Sequence, residues 1–184
     1  MQKKSHTIAL FGGSFDPPHV GHEAVVKALL QKEEIDKVVI MPTFLNPFKD
    51  DSYAPAELRL KWLREIFQAY EKVEVDEYEV KQNRKVPTIE SVEYLLKKYS
   101  TIFLVIGADN LQHLQKWHKF EKLQEMVTFV VASRDAIHVP DSFITLDVNE
   151  EISSTELRKN IKTAQLSAIN AEEIKKYYKE KNAK

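Results

Sequence analysis

Short apolar runs alternate with longer amphipathic segments along most of this chain. Apolar runs predict buried strands at 7–11, 37–41, 101–106, 127–133 and 143–146. Apolar residues at helical spacing predict helices at 21–32, 55–70, 88–99 and 109–123, the last interrupted near Trp117. Further helices are expected at ISSTELRKNI and from Ala171. This alternation predicts an α/β fold with a doubly wound, mostly parallel sheet and helices on both faces.

One segment alternates apolar and acidic residues, which is typical of a half-exposed or edge strand over residues 73–80. Its acidic side chains are therefore expected on a solvated face: Glu74, Asp76, Glu77 and Glu79. After the polar loop KQNRKVP at residues 81–87, Thr88 is expected to cap a helix that carries Ser91 in its first turn. The charged tail predicts an amphipathic helix that packs on its own domain.

The size and composition of the chain restrict its class. Its 184 residues fit one domain spanning 1–184, with a C-terminal helical segment from about residue 153. A formal net charge of −1 gives no overall attraction to nucleic acid, and the absence of cysteine excludes disulfides and thiolate metal sites. The apolar runs are too short for a membrane helix or a signal peptide, so we expect a cytoplasmic protein without a membrane partner.

The sequence FGGSFDPPHVGHEAVV, at residues 11–26, holds three of the four glycines of the chain. The dinucleotide-binding and P-loop glycine patterns are absent. Asp16 stands where a nucleophile elbow requires glycine, so Ser14 is not expected to be an acylated serine. A simple turn at Gly12 and Gly13 is one alternative, and close approach of a large ligand to the main chain is the other.

Two histidines follow at the expected start of a helix, His19 and His22. Free backbone N–H groups and the helix dipole at such a position form an anion site, and the imidazoles add hydrogen-bond donors. A zinc site is the alternative, but the segment offers no cysteine and no third ligand nearby. These residues therefore predict phosphate binding.

A second group of polar residues lies near the other end of the chain, in ISSTELRKN. Ser153, Ser154 and Thr155 precede or begin a helix, and Arg158 lies one turn beyond Thr155 on the same side. A plain helix cap with a solvated arginine is the alternative. Because ligands of parallel sheets bind beyond the carboxyl ends of the strands, both groups are expected at one sheet edge, where they suit a triphosphate.

These residues carry a resemblance to a known superfamily. GGSFDPPHVGH resembles the nucleotidylyltransferase signature with its H-x-G-H core, and ISSTELR resembles the second phosphate motif of that superfamily. FLVIGADNLQHLQKW, PTIESVEYL and VVASR resemble segments of the bacterial nicotinate-nucleotide adenylyltransferases. The resemblance spans roughly residues 7–161 and implies a Rossmann-like nucleotidylyltransferase domain.

The resemblance also implies an activity: ATP and nicotinate mononucleotide give nicotinate adenine dinucleotide and pyrophosphate, with Mg²⁺ assisting and no resident metal. The catalytic residues that it implies are His19, His22, Arg158 and Lys49. Those implied for ATP binding are Gly12, Gly13, Ser14, Phe15, Gly21, Gly107, Asp109, Ile152, Ser153, Ser154 and Thr155. Those implied for the mononucleotide are Thr88, Trp117 and Arg134.

The chain departs from the family pattern in the pocket expected to hold the pyridine ring. Thr88 follows Pro87 directly, without the Ser-Tyr pair of the family. Phe48 stands where the family has a histidine, and Phe120 stands where a second tryptophan is common. The catalytic assignments do not depend on these positions.

Several alternatives stay open from the sequence. Trp117 could be a core residue, and Lys49 a solvated loop lysine. The acceptor could instead be nicotinamide mononucleotide or phosphopantetheine, and a catalytically silent nucleotide-binding module is a third possibility. Intact His19, His22 and Arg158 disfavour the silent module. The sequence does not determine the oligomeric state.

Overall fold

The structure is a computed structural model that describes residues 6–133, 138–148 and 153–184. Within them, six strands form one sheet: β1 (Thr7–Gly13), β2 (Lys37–Pro42), β3 (Val73–Val75), β4 (Thr101–Gly107), β5 (Thr128–Ser133) and β6 (Ile144–Asp147). Their order is β3-β2-β1-β4-β5-β6, and every neighbouring pair is parallel. The order reverses between β1 and β4, which is where doubly wound sheets bind ligands. The predicted α/β fold is confirmed.

The helices cover both faces of the sheet. They are α1 (Val20–Leu30), α2 (Ala56–Phe67), α3 (Tyr78–Lys81), α4 (Thr88–Leu96), α5 (Phe120–Met126), α6 (Ser154–Lys159) and α7 (Ala171–Asn182), with 3₁₀ segments at Ala108–Lys116 and Thr163–Gln165. Because side chains of a strand alternate between faces, Ile8 packs with α4 while Ala9 packs with α1 and α2. In the described part of the chain no helix combines the length and apolar character that a membrane span requires.

The prediction of a strand over residues 73–80 was wrong beyond Val75. The Tyr78 N–H donates to Asp76 Oδ1 over 2.8 Å, a local turn that ends the strand and leads into α3. Asp76 and Glu79 are buried, so the expectation that both lie on a solvated face was also wrong.

Smaller differences concern the ends of elements. Gly12 and Gly13 belong to β1 and pair with β2, so they form no turn, and the positive φ of 49° falls on Phe15. Thr88 is the first residue of α4, and Pro87 takes the capping position expected for Thr88. The predicted interruption near Trp117 is confirmed, since the 3₁₀ segment ends at Lys116 and α5 begins at Phe120.

The C-terminal helices pack on α2 and on the loop before it. Trp62 of α2 contacts Tyr178 of α7 in an apolar cluster that also contains Leu157 of α6. The predicted tail helix is confirmed, and its buried face holds Ile174 and Tyr178. This packing brings α7 close to the loop that follows β1.

Candidate active site

The two histidines hold each other in place at the start of α1. His19 Nδ1 accepts a hydrogen bond from the Gly21 N–H over 3.0 Å, and His22 Nδ1 accepts from the His19 N–H over 3.1 Å. The two rings stack with centroids 3.7 Å apart. Because each Nδ1 accepts a hydrogen bond, each neutral imidazole carries its proton on Nε2. The local sequence thus prepares two Nε2–H donors.

This arrangement changes the expected anion site. Backbone N–H groups at the helix start were expected to be free for an anion, but the Gly21 N–H donates to His19. The histidine rings, which line a cavity of about 620 Å³, therefore replace part of the backbone donor set. Phe15 is buried and packs edge-on against His22 with centroids 4.7 Å apart, which helps to orient that ring.

Glycines form part of the floor of this cavity. Gly12 and Gly13 lie at the end of β1, and a Cβ placed on Gly12 would meet no protein atom closer than 3.7 Å. The protein itself therefore does not require glycine at position 12, and the space beside this main chain is open to a ligand. At Gly107 the reason is internal, since a Cβ would lie 2.6 Å from Asp109 Oδ1. That glycine makes room for Asp109, which lines the same cavity.

The ISSTELR motif reaches the loop after β1. Ser153 caps α6 by accepting from the Glu156 N–H over 3.1 Å, which is the alternative that the sequence left open for this residue. Ser154 Oγ donates to the Pro17 carbonyl over 2.9 Å, and Arg158 Nη1 donates to the Asp16 carbonyl over 2.7 Å. Two segments more than a hundred residues apart are thereby joined at the ligand-binding edge of the sheet.

Basic and acidic side chains meet beside this junction, where Asp16 and Asp51 line the same small cavity as the basic residues. Lys49, Thr155 and Arg158 line a small cavity of about 120 Å³, and Lys49 and Thr155 also line the large one. The Arg158 guanidinium lies 4.3 Å from the ring centroid of Tyr53, and its buried Nε has no hydrogen-bond partner among the described residues. Lys116, which sequence analysis missed, adds a further cation to the lining of the large cavity.

A second cavity, of about 280 Å³, continues from the first past Gly13 and Gly107. Apolar side chains of the sheet form much of its wall, and Thr88 and Trp117 also line it. Trp117 is half-buried, packs on the core with part of its ring, and has a buried Nε1 without a hydrogen-bond partner among the described residues. Both proposed roles of Trp117, core residue and ligand contact, therefore have structural support.

Arg59 is a buried residue that sequence analysis missed. Its side chain is 0% exposed and donates to the carbonyls of Ser14, Thr43, Phe44 and Ala54 over 2.6 to 2.9 Å. These carbonyls belong to the loops after β1 and β2 and to the segment before α2. Arg59 therefore holds together the loops after β1 and β2 and the segment before α2.

Asp16 is the second missed residue, and its side chain joins the signature loop to the C-terminal helix. Its carboxylate accepts from the N–H groups of Tyr53 and Ala54 over 2.7 and 3.0 Å and from the hydroxyl of Tyr178. Burial, together with the charge of Asp16, raises the pKa of Tyr178, so Tyr178 remains a hydrogen-bond donor. The pair is 162 residues apart in sequence, and no local pattern could have predicted it.

The structure locates some of the remaining residues that the sequence singled out, and two of them cannot be placed. Arg134 and Ile152 lie outside the described residues. Phe48 is 64% exposed and lines both cavities, whereas Phe120 packs on Phe129 in the core. His113, expected at the surface or in packing, is exposed but also lines the large cavity. In the described ranges no group of three or more histidine or acidic side chains could hold a metal ion.

Comparisons with known proteins show the family to which the chain belongs. The family model of the cytidylyltransferase-like proteins matches residues 10–160. The "probable nicotinate-nucleotide adenylyltransferase" of Sulfurimonas denitrificans is 60% identical over 97% of this chain and 98% of its own length. A protein of the same name from Nitratiruptor sp. is 50% identical over 94% of this chain and 98% of its own length.

Solved structures share the fold at low sequence identity. The nicotinic acid mononucleotide adenylyltransferase of Plasmodium falciparum, solved with NaAD, is 20% identical with a TM-score of 0.76, covering 95% of this chain and 98% of that one. A nicotinate-nucleotide adenylyltransferase structure from Vibrio parahaemolyticus, described as putative, is 22% identical with a TM-score of 0.70, covering 92% and 98%. By its family match and its close relatives, this chain belongs to the cytidylyltransferase-like family and, within it, to the nicotinate-nucleotide adenylyltransferases.

Proposed function

We propose that the protein transfers the adenylyl group of ATP to nicotinate mononucleotide, giving nicotinate adenine dinucleotide and pyrophosphate in NAD biosynthesis. The observation that carries this proposal is the stacked pair His19 and His22, whose Nδ1 atoms are both occupied and whose rings line the large cavity. That cavity opens into a smaller, largely apolar one suited to a pyridine ring. The names of the close relatives support the same substrates.

ATP is assigned to the larger cavity. The Nε2–H groups of His19 and His22 donate to the α-phosphate oxygens, where negative charge develops during transfer. Lys49, Thr155 and Arg158 receive the β- and γ-phosphates, because they supply positive charge and a hydroxyl beside the same cavity. Gly107 and Asp109 are assigned to the ATP ribose. The assignment of Ile152 to ATP binding stays a prediction.

The mononucleotide is assigned to the smaller cavity. Trp117 stacks on the pyridine ring, and Thr88 contributes a hydroxyl at the same end. Lys116 lines both cavities, so its ammonium is placed to meet the 5′-phosphate of the acceptor where the two substrates join. The assignment of Arg134 to mononucleotide binding also stays a prediction.

The chemistry needs no activated protein nucleophile. An oxygen of the acceptor's 5′-phosphate attacks the α-phosphorus of ATP, the bond from that phosphorus to the bridging oxygen breaks, and pyrophosphate leaves with the electron pair. A phosphate monoester is already ionised at neutral pH, so no side chain has to remove a proton. Alignment of the two substrates and stabilisation of charge by fixed donors account for the catalysis.

Mg²⁺ is proposed to enter as part of the MgATP substrate. It neutralises charge on the phosphates, while the residues of the chain bind and orient the complex. Oxygen atoms of the triphosphate suit Mg²⁺, which keeps several waters and often binds through substrate phosphates.

The test is pyrophosphate release with MgATP and each of three acceptors: nicotinate mononucleotide, nicotinamide mononucleotide and phosphopantetheine. A strong preference for nicotinate mononucleotide is the expected result. Release with another acceptor would reassign the substrate while leaving the transfer chemistry in place. If none of the three releases pyrophosphate although ATP binds, the protein is a silent nucleotide-binding module.

A further inference from the structure

A buried carboxyl group lies at the wall of the smaller cavity. Glu79 of α3 is 7% exposed and lines this cavity together with Thr88, Ser91 and Trp117. Ser91 Oγ donates to Glu79 Oε1 over 2.6 Å. An acidic side chain in a pocket proposed to take a negatively charged pyridine carboxylate needs a physical explanation.

Burial, and to a lesser extent the neighbouring acids, make Glu79 harder to ionise. Burial is the main cause that raises the pKa of Glu79, to about 7, and the charges of Glu90 and Asp76 act in the same direction. The hydrogen bond from Ser91 opposes this effect, because it stabilises the carboxylate. Asp76 is itself held by the Tyr78 N–H and the Tyr94 hydroxyl.

The surrounding cations are engaged elsewhere or exposed. Arg84 pairs with Glu90 over 2.6 Å, while Arg64 and Lys81 both pair with Glu77. Lys116 and His118 line the cavity but are exposed to solvent. In the described part of the chain, no lysine or arginine forms an ion pair with Glu79. Its carboxyl group is therefore buried without a compensating charge.

We propose that Glu79 is the residue that discriminates between the carboxylate and the amide form of the pyridine mononucleotide, because its neutral carboxyl group donates a hydrogen bond to the substrate's carboxylate. This inference rests on the proposed function, since it places the pyridine ring in the smaller cavity. Ser91 occupies Glu79 Oε1, so the proton of the neutral acid resides on Oε2. Ionised Glu79 instead repels a carboxylate and accepts from an amide.

The direction of the pH dependence follows. Below the pKa of about 7 the neutral acid favours nicotinate mononucleotide, and above it the ionised form favours the amide. Both ligands share the phosphate, the ribose and the pyridinium ring. Titration of these shared groups therefore changes both dissociation constants equally and leaves their ratio unchanged. The preference for the acid therefore falls as pH rises.

The experiment is calorimetric titration of the whole protein with nicotinate mononucleotide and, separately, nicotinamide mononucleotide, between about pH 6.5 and pH 8.5. The ratio of the two dissociation constants is expected to change by at least about 25-fold towards the amide over this range, following the loss of the neutral acid. A ratio that stays constant overturns the proposal.

Three variants separate discrimination from a structural role. Glu79→Gln keeps the oxygen that accepts from Ser91 and a donor in place of Oε2–H, so it should hold the acid preference constant across pH. Ser91→Ala removes the bond that lowers the pKa, so the change in the ratio should move to higher pH. Glu93→Gln, an exposed residue of α4 paired with Lys122, is the matched control and should reproduce the wild-type profile. The same pH dependence in Glu79→Gln as in the wild type would contradict the proposal.

Failure here is distinguishable from failure of the proposed function, because binding is measured without turnover. If the wild type releases pyrophosphate with nicotinate mononucleotide but its affinity ratio does not depend on pH, the transfer activity stands and Glu79 has only a structural role. If neither mononucleotide binds, the placement of the pyridine ring and the role of Glu79 are both overturned.

Discussion

The two ends of the cleft are built in different ways. At the end proposed for the phosphates, His19 and His22 come from one short segment, where the Gly21 N–H donates to His19 and the His19 N–H donates to His22. At the pyridine end, Glu79, Thr88 and Trp117 come from separate elements and share only the cavity that they line. The first end is a local structure, and the second exists only when the chain has folded.

This difference explains which features of the site have a recognisable sequence. A capping arrangement at a helix start depends on the spacing of residues, so it leaves a motif. A pocket wall depends on which elements pack side by side, so its residues follow no fixed spacing. Of the two residues that depart from the family pattern, Phe48 is exposed and lines both cavities, whereas Phe120 packs on Phe129 in the core.

The largest effect on activity is expected from removing a histidine side chain at the start of α1. His22→Ala should reduce kcat by at least ~10²-fold with little change in ATP affinity, because it removes a donor that acts mainly in the transition state. Steady-state kinetics with MgATP measure this. His22→Asn retains an acceptor for the His19 N–H, so it separates the loss of this helix-capping bond from the loss of the Nε2–H donor. His138 is exposed, and His138→Ala is the control. Near-normal kcat in His22→Ala would remove the proposed mechanism.

Tyr178→Phe tests whether the local end depends on a distant helix. The change removes the hydroxyl that donates to buried Asp16 and leaves that carboxylate short of a donor. Loss of a hydrogen bond to a charged group should lower the free energy of unfolding by roughly 1.5–3 kcal/mol in urea denaturation. Tyr177→Phe, whose hydroxyl donates to the exposed Tyr53 carbonyl, should lose less. Equal losses of unfolding free energy in both variants would show that the hydrogen bond from Tyr178 to Asp16 contributes no more to stability than an exposed one.

Trp117→Ala changes the wall of the smaller cavity and should leave kcat nearly unchanged. The KM for the mononucleotide should rise, because stacking of a base on an aromatic ring is worth ~1–3 kcal/mol. Trp117→Phe retains an aromatic face and should recover part of the affinity. A KM equal to that of the wild type in Trp117→Ala, with a lowered unfolding temperature, would assign the side chain to the core alone.

Several predictions failed for one physical reason. The alternation of apolar and acidic residues at 73–80 has the period of a strand, but the Asp76 carboxylate binds the Tyr78 N–H and turns the chain. The same turn buries Glu79 beside the pyridine pocket, where sequence analysis had placed a solvated side chain. Burial of an acid cannot be read from a pattern, because it depends on the neighbours that folding supplies.

By itself, the sequence determined the parallel α/β fold, the approximate positions of most elements and the place of His19 and His22 at a helix start, because these depend on periodicity and on residues close together in the chain. Tertiary structure alone decided the hydrogen bonds of Arg59 to loop carbonyls, the contact between Asp16 and Tyr178, and the burial of Glu79. Such features join residues that are distant in sequence, and their energies depend on burial. They exist only once the elements have packed.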